Sequence, residues 1–346
     1  MPGMDLGIDL GTSQVVIYTP HHGIVLREPS VIAVDQADGH MIACGKEAYA
    51  MLGRTPDSIC AIRPLRKGVI SNYDYAEQML RYFVRKVCKY KILKPRAAVS
   101  VPATVTEVEQ RSVVEAVSAA GIRRVVLMEE SVAAAVGAGL DVSAPRGSMI
   151  VDLGAGTTDI AVMSLKGLAN SISIRLGGDD FDAAIVRYMR TQYGLIIGDL
   201  TAEQVKKTIG NAMPAGEPDT MPVRGRDALS GLPRVQRVDA NEILEAISEP
   251  LYGILSAIQH VLETTQPELV GDILDSGITL SGGGALLKNM PERVTRRTGV
   301  ACRVADDPES CVAIGTGKAL KYVGVMANGV YDINQFAYRL SDSIPD

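Results

Sequence analysis

The sequence predicts an α/β protein whose two related domains face each other across a cleft, and three observations predict it. The tripeptide Asp-Leu-Gly occurs at Asp9 and again at Asp152, each time closing one apolar β-branched run and leading into another. Strand-like segments alternate with helix-like ones between and after the two copies. The 346 residues exceed what one small core needs and suit two domains of ordinary size. Two copies at domain-scale spacing indicate a duplicated domain, not a short-period solenoid.

Taken in order, DLGIDLGTSQVVIYTP reads as two short strands joined at a Gly-Thr turn, a hairpin with an Asp at its bend. AAVSVPATVTEVEQRSVVEAVSAAG runs from a strand into a helix. Thr104 and Glu107 supply a capping box for that helix, Val113, Ala116, Val117 and Ala120 its buried face, and Gly121 its end. RVVLMEESVAAAVGAGL is a strand, an acidic bend and an Ala-rich helix, and SMIVDLGAGTTDIAVMSL repeats the opening hairpin. From Ala212 to Val238 the apolar residues keep no period, which predicts an irregular surface excursion. ANEILEAISEPLYGILSAIQHVLETT reads as a long amphipathic helix, or a pair interrupted at Pro250; GITLSGGGALLKNMPERV reads as strand, glycine turn and helix. The predicted domains are 1–146 with 322–346, and 147–321.

Composition fits a globular protein, with 47% hydrophobic and 22% charged residues. A net charge of -5, no Trp and only 3 Phe give no reason to expect nucleic acid. Cys44, Cys60, Cys88, Cys302 and Cys311 are odd in number and never form a CxxC pair, which argues against a disulfide framework or a zinc site and for a reducing cytoplasm. The start MPGMDLG lacks a basic region and an apolar core, and no apolar run approaches the ~20 residues that span a bilayer, so the expectation is neither export nor a membrane span.

A phosphate chain needs convergent N–H donors and a divalent cation, and glycine bends let backbone approach its oxygens closely. One such bend is an ordinary tight turn. Two, each followed by a Thr-containing strand, point to a phosphate clamp, with Asp9 and Asp152 placed to hold the hydration shell of Mg²⁺. Gly282, Gly283 and Gly284 lie where a strand gives way to a helix and permit close approach to a base or sugar. Glu203, Lys206 and Lys207 fall within about one helical turn, so they share a face that suits ribose and adenine, or is simply solvated.

The order of these motifs resembles that of the actin, heat-shock chaperone and sugar kinase superfamily almost end to end. EESVAAAVGAGL, RLGGDDFDAAIVRYM and PELVGDILDSGITLSGGGALLKNM resemble, more narrowly, the MreB family of bacterial actin-like rod shape-determining proteins. The resemblance implies an actin-like ATPase fold, each domain carrying a smaller subdomain, that binds ATP and Mg²⁺. It places Thr12, Ser13 and Gln14 at the first phosphate bend, and Gly154, Ala155, Gly156 and Thr157 at the second. Glu203, Lys206, Lys207, Gly283, Gly284, Ala285 and Leu286 would surround the adenosine. Glu130, with Thr157, would be catalytic, the carboxylate orienting the attacking water.

The chain departs from the family pattern at Ser13 and Gln14 (usually Ala-Asn), Ala155 (Gly), Ser131 (Pro) and Thr208 (an acid). Ser131 changes how the helix after Glu130 begins, and a slow ATPase is expected. RKVCKYKILKPR, from Arg85 to Arg96, has six basic residues and no acidic one around Ile92 and Leu93. A basic patch with an apolar tip settles on anionic lipid, each basic residue contributing roughly 1 kcal/mol; the bland alternative is that Ile92 and Leu93 begin a buried strand. The family implies self-assembly into filaments on the inner face of the cell membrane, guiding the cell-wall elongation machinery. The rival reading, a small-molecule kinase or a non-polymerising ATPase of the same superfamily, would call for an Asp base aimed at a substrate hydroxyl, and no separate substrate motif is present.

Overall fold

The computed structural model describes residues 5–88, 95–320 and 329–332. The first half opens with β1 (Asp5–Leu10), β2 (Gln14–Thr19) and β3 (Gly23–Pro29). An insertion follows: β4 (Ile32–Asp35), β5 (Met41–Cys44), α1 (Lys46–Met51), β6 (Ile59–Ile62), then the short strands β7 (Leu65–Arg66) and β8 (Val69–Ile70). Then come α2 (Tyr73–Val87), β9 (Arg96–Val101), α3 (Glu107–Ala119), β10 (Arg124–Glu129) and α4 (Glu130–Gly137).

The second half repeats the opening with β11 (Ser148–Leu153), β12 (Thr158–Ser164) and β13 (Gly167–Ile174). It continues through α5 (Gly178–Tyr193), β14 (Leu195–Ile196), α6 (Asp199–Ile209), β15 (Thr220–Asp227) and β16 (Pro233–Asp239). It ends with α7 (Ala240–Thr264), α8 (Pro267–Ser276), β17 (Ile278–Ser281), α9 (Met290–Thr298), β18 (Cys302–Val304) and α10 (Cys311–Ala319); β19 (Val330–Asp332) comes last.

The two main sheets share one plan. In the first, ordered β19-β10-β9-β1-β2-β3, β1 is antiparallel to β2 and parallel to β9. In the second, ordered β13-β12-β11-β17-β18, β11 is antiparallel to β12 and parallel to β17. Asp9 and Asp152 therefore occupy equivalent central strands. Covered on both faces, these strands read as nearly unbroken apolar runs; five of the six residues of β11 are buried. Each half also carries a smaller sheet, β5-β4-β6 with α1 in the first and β14-β15-β16 in the second.

Each large sheet has its own apolar core, one around Leu6, Phe83 and Leu127 and the other around Ile160, Ile185 and Ile258. The two are joined by α4 and α10, which cross at small residues. A Cβ on Gly137 would lie 1.8 Å from the Cys311 carbonyl oxygen, and one on Gly315 would lie 1.8 Å from that of Ala133. Only glycine admits so close a backbone contact. The Ala-rich run of α4 packs with Ile150 and Ala161 of the second sheet, while Gly317 of α10 lies against Gly7 of the first. β19 returns to pair with β10.

Two sequence expectations change. The capping box of α3 is made by Thr106 and Glu109, not by Thr104 and Glu107. Ala103 and Thr104 still belong to the turn after β9, so the helix begins two residues later than a Thr104 cap would start it, at Glu107. The stretch 212–238 is irregular only at its start: β15 and β16 form a seven-pair hairpin that the exposed, charged outer face hides from a period-2 reading. Of the two readings of α7, the single long helix is the one observed, continuous through the buried Pro250.

Candidate functional site

A cleft of about 540 Å³ opens between the halves, and both hairpin bends point into it. The first bend, Gly11 to Gln14, is fixed by Ser30, whose hydroxyl donates to the Gly11 carbonyl at 2.6 Å and whose N–H donates to the Ser13 carbonyl at 2.9 Å. The second, Gly154 to Thr157, is closed by the Gly154 N–H on the Thr157 carbonyl at 3.0 Å and anchored to the start of α5 through Gly178 and Asp179. Ala155 is absent from the residues of positive φ, so its methyl group brings no backbone strain. The bends meet at their tips, where a Cβ on Gly156 would lie 2.5 Å from Thr12 Oγ1.

The duplication extends to hydrogen bonding. Ser100, at the end of β9, donates to Asp9 at 3.2 Å, and Ser281, at the end of β17, donates to Asp152 at 2.7 Å. Burial pushes both carboxyls up to about 7, with the serine bonds opposing the rise. Asp152 is only 5% exposed, whereas Asp9 keeps contact with solvent through the cleft. Glu130, at the first turn of α4, is buried and accepts from Thr157 Oγ1 at 3.4 Å. Burial first, then the charges of Asp159, Asp9 and Asp152, raise it well above the usual carboxylate range. Asp159 is itself raised by burial. Ser131 brings a buried hydroxyl without a hydrogen-bond partner among the described residues.

On the other side of the cleft, α6 presents Glu203, Lys206 and Lys207. The two lysines do different things. Lys206 reaches Asp182 at 2.8 Å and the Gly178 carbonyl at 2.8 Å, while Lys207 binds Glu203 Oε1 at 2.7 Å. Burial pushes Glu203 upward, but Lys207, Tyr49 and Arg63 outweigh it and hold the carboxyl below its ordinary value. Gly282 has a φ of 77°, and a Cβ there would meet the Leu153 carbonyl oxygen at 2.4 Å, so the glycine run packs directly on the end of β11. Gly283, Gly284 and Leu286 line the cleft, whereas Ala285 points away into the second core.

Apart from Ala285, all the candidate cleft residues line this one space: Asp9, Thr12, Ser13, Gln14, Glu130, Asp152, Gly154, Ala155, Gly156, Thr157, Glu203, Lys206, Lys207, Gly283, Gly284 and Leu286. Ile92 and Leu93 lie outside the described residues. Sequence reasoning missed Asp159, Asp179, Asp182, Gly68, Pro308 and Glu309. Gly68 and Lys67 enter from the first half, the Gly68 N–H donating to Thr12 Oγ1 at 3.0 Å and Lys67 Nζ binding Asp180 at 2.5 Å across the cleft. The acids after Leu176 stood in plain view in GGDDFD; nothing local marked them as facing the cleft.

The donor set fits a magnesium nucleotide. Facing bends offer backbone N–H groups to phosphate oxygens, and Asp9 and Asp152, both raised as isolated carboxyls, gain by a divalent cation that keeps them ionised. Among the described residues no three His, Cys, Asp or Glu side chains are grouped to chelate an ion directly.

The MreB/Mbl protein family profile matches residues 3–328. The chain is 47% identical over 333 residues to the cell shape-determining protein MreB of Escherichia coli (strain K12), covering 94% of this chain and 96% of that one. It is 44% identical over 317 residues to the cell shape-determining protein Mbl of Bacillus subtilis (strain 168), covering 91% and 95%. Among solved structures, MreB 5 of Spiroplasma citri bound to AMPPNP matches with a TM-score of 0.88 at 34% identity, over 94% of this chain and 98% of that one. The MamK double helical filament, at 20% identity and a TM-score of 0.78 over 92% and 99%, shares the fold.

Proposed function

Because the chain belongs to the MreB/Mbl protein family, we propose that it is an actin-like cytoskeletal ATPase whose filaments determine cell shape. The observation that carries the chemistry is the pairing of Asp9 and Asp152, each bonded to a serine of the neighbouring parallel strand, on opposite sides of one cleft with Glu130 behind them. Relatives support the ligand: MreB 5 of Spiroplasma citri has been solved with AMPPNP and with ADP.

In this reading Thr12, Ser13 and Gln14 cradle one side of the phosphates and Gly154, Ala155, Gly156 and Thr157 the other. Asp9 and Asp152 hold Mg²⁺ through water. When bound, the ion neutralises phosphate charge. Glu130 and Thr157 orient the attacking water; because burial and the neighbouring acids raise Glu130, less of it is ionised to accept a proton, which favours slow hydrolysis. Glu203 and Lys207 meet the ribose, Lys206 fixes α6 to Asp182, and Gly283, Gly284 and Leu286 flank the base. We divide the chain into domain 1–146 with 322–346, and domain 147–321; the pairing of β19 with β10 supports the return of the tail.

ATP closes the cleft and favours filament contacts, and hydrolysis loosens them. The filaments lie on the inner face of the membrane and guide the wall-elongation machinery. No helix among the described residues is long and apolar enough to cross a membrane. Attachment in this reading is peripheral, through Ile92 and Leu93. The test is pelleting of the purified protein with Mg²⁺-ATP, with and without anionic liposomes, beside Glu130→Ala. Nucleotide-dependent filaments on lipid, with phosphate release lost only in the variant, are expected; a chain that binds ATP but stays dispersed in every condition overturns the cytoskeletal assignment.

A further inference from the structure

The small sheet of the first half crosses the cleft to reach the nucleoside side of the second. Tyr49, on α1, donates from its hydroxyl to Glu203 Oε2 at 2.9 Å. Arg63, just after β6, stands 3.7 Å from the same oxygen and 3.8 Å from Asp179. Lys207 occupies the other oxygen, Oε1. The small sheet has a core of its own, Val31, Ala33 and Ala48, against which the Tyr49 ring packs. Its position is thus reported at Glu203 by one neutral hydrogen bond, from Tyr49, and by the longer ionic contact of Arg63.

We propose that Tyr49 is a positioning residue that fixes the carboxylate of Glu203 for a nucleoside sugar hydroxyl, so that docking of the small sheet and retention of nucleotide depend on the same side chain. This rests on the reading of Glu203 as a ribose ligand. A carboxylate oxygen has two acceptor sites, so Oε2 can take the Tyr49 proton and a sugar hydroxyl together. Lys207 is 68% exposed along its side chain, and its ion pair is screened by solvent. The phenol is half-buried, and burial, followed by the neighbouring Glu203, pushes it up to about 12, so it remains a donor throughout the neutral range.

The experiment is calorimetric titration of wild type, Tyr49→Phe, Glu203→Gln and the double variant with Mg²⁺-ADP and with its 2′-deoxy and 3′-deoxy analogues. Tyr49→Phe keeps the ring and its packing and removes only the donor. It should weaken ADP binding about 3- to 10-fold, the range for one ordinary hydrogen bond. That loss should fall below about twofold for the analogue lacking the hydroxyl that Glu203 holds, and vanish when Gln already stands at 203. A purely structural role would instead weaken all three ligands equally, and that result, or no loss on ADP, overturns the proposal. Unchanged ADP binding by Glu203→Gln would overturn the ribose assignment beneath it; weakened binding there with Tyr49→Phe unaffected would overturn the role of Tyr49 alone.

Discussion

Gly156 and Thr12 touch tip to tip across the cleft: a Cβ built on Gly156 would sit 2.5 Å from Thr12 Oγ1 and 2.8 Å from the Cα of Lys67. The first of these neighbours also accepts the Gly68 N–H, so it has little freedom to withdraw. Closure of the two bends on a phosphate chain therefore depends on the missing side chain at 156.

Gly156→Ala should force the bends apart. Overpacking of this kind costs about 1–3 kcal/mol, and the expected result is a nucleotide affinity at least about fivefold weaker by calorimetry. Ala155→Gly is the control, since the methyl group there is unstrained, and should stay within about twofold. Equal affinities for Gly156→Ala and wild type would mean that the bends need not meet.

Glu130→Gln keeps the shape and the hydrogen bond from Thr157 but removes the carboxylate. Phosphate release should fall roughly 100-fold or more, the usual contribution of a positioned acid or base, while ADP affinity changes little. Retained hydrolysis would transfer the role to the neighbouring Asp159, which is buried beside it.

Thr106→Ala should destabilise the protein by about 1 kcal/mol in urea, because it removes the hydroxyl that caps α3. Thr104→Ala should remain within about 0.5 kcal/mol. The reverse order would mean that the helix begins two residues earlier.

Legibility in the sequence followed chain locality. The hairpins at Asp9 and Asp152, the glycine run at 282–284 and the strand-helix alternation are contiguous signals, and the duplicated sheets follow from them. Ser100 and Ser281 were invisible as partners of the two acids, since each bond spans parallel strands 91 and 129 residues apart in sequence. Tyr49 and Arg63 were equally hidden. They belong to a small sheet whose position over α6 is set by tertiary packing, not by any local pattern. The α3 cap shows the opposite limit: two Thr-x-x-Glu frames overlap by two residues, and only the extent of the preceding turn selects Thr106.

Replacing Ile92 and Leu93 with Ser should release filaments from anionic liposomes and leave ATP binding unchanged, because apolar insertion and basic attraction act together at such a patch. Undiminished co-sedimentation with the vesicles would assign both residues to the interior.

Asp9 and Asp152 give the cleft a defined response to pH. In the unfolded chain these carboxyls titrate near 3.8, and in the folded protein near 7. Between those values the folded state binds more protons than the unfolded state, so the stability of the nucleotide-free protein falls as pH rises through that window. Below the window the contribution is fully present; above about 7 it is lost. Mg²⁺-ADP requires the ionised carboxylates and must displace those protons, so its affinity should move the opposite way, strengthening as pH rises from 6 to 8. Thermal melts at the two pH values, with and without Mg²⁺-ADP, measure both trends at once. The expected pattern is a lower melting temperature at pH 8 without ligand and a larger ligand-induced rise there. Asp152→Asn should flatten both dependences, since the amide neither titrates nor gains from the cation; a variant that keeps the wild-type pH profile would remove this acid from the cation site.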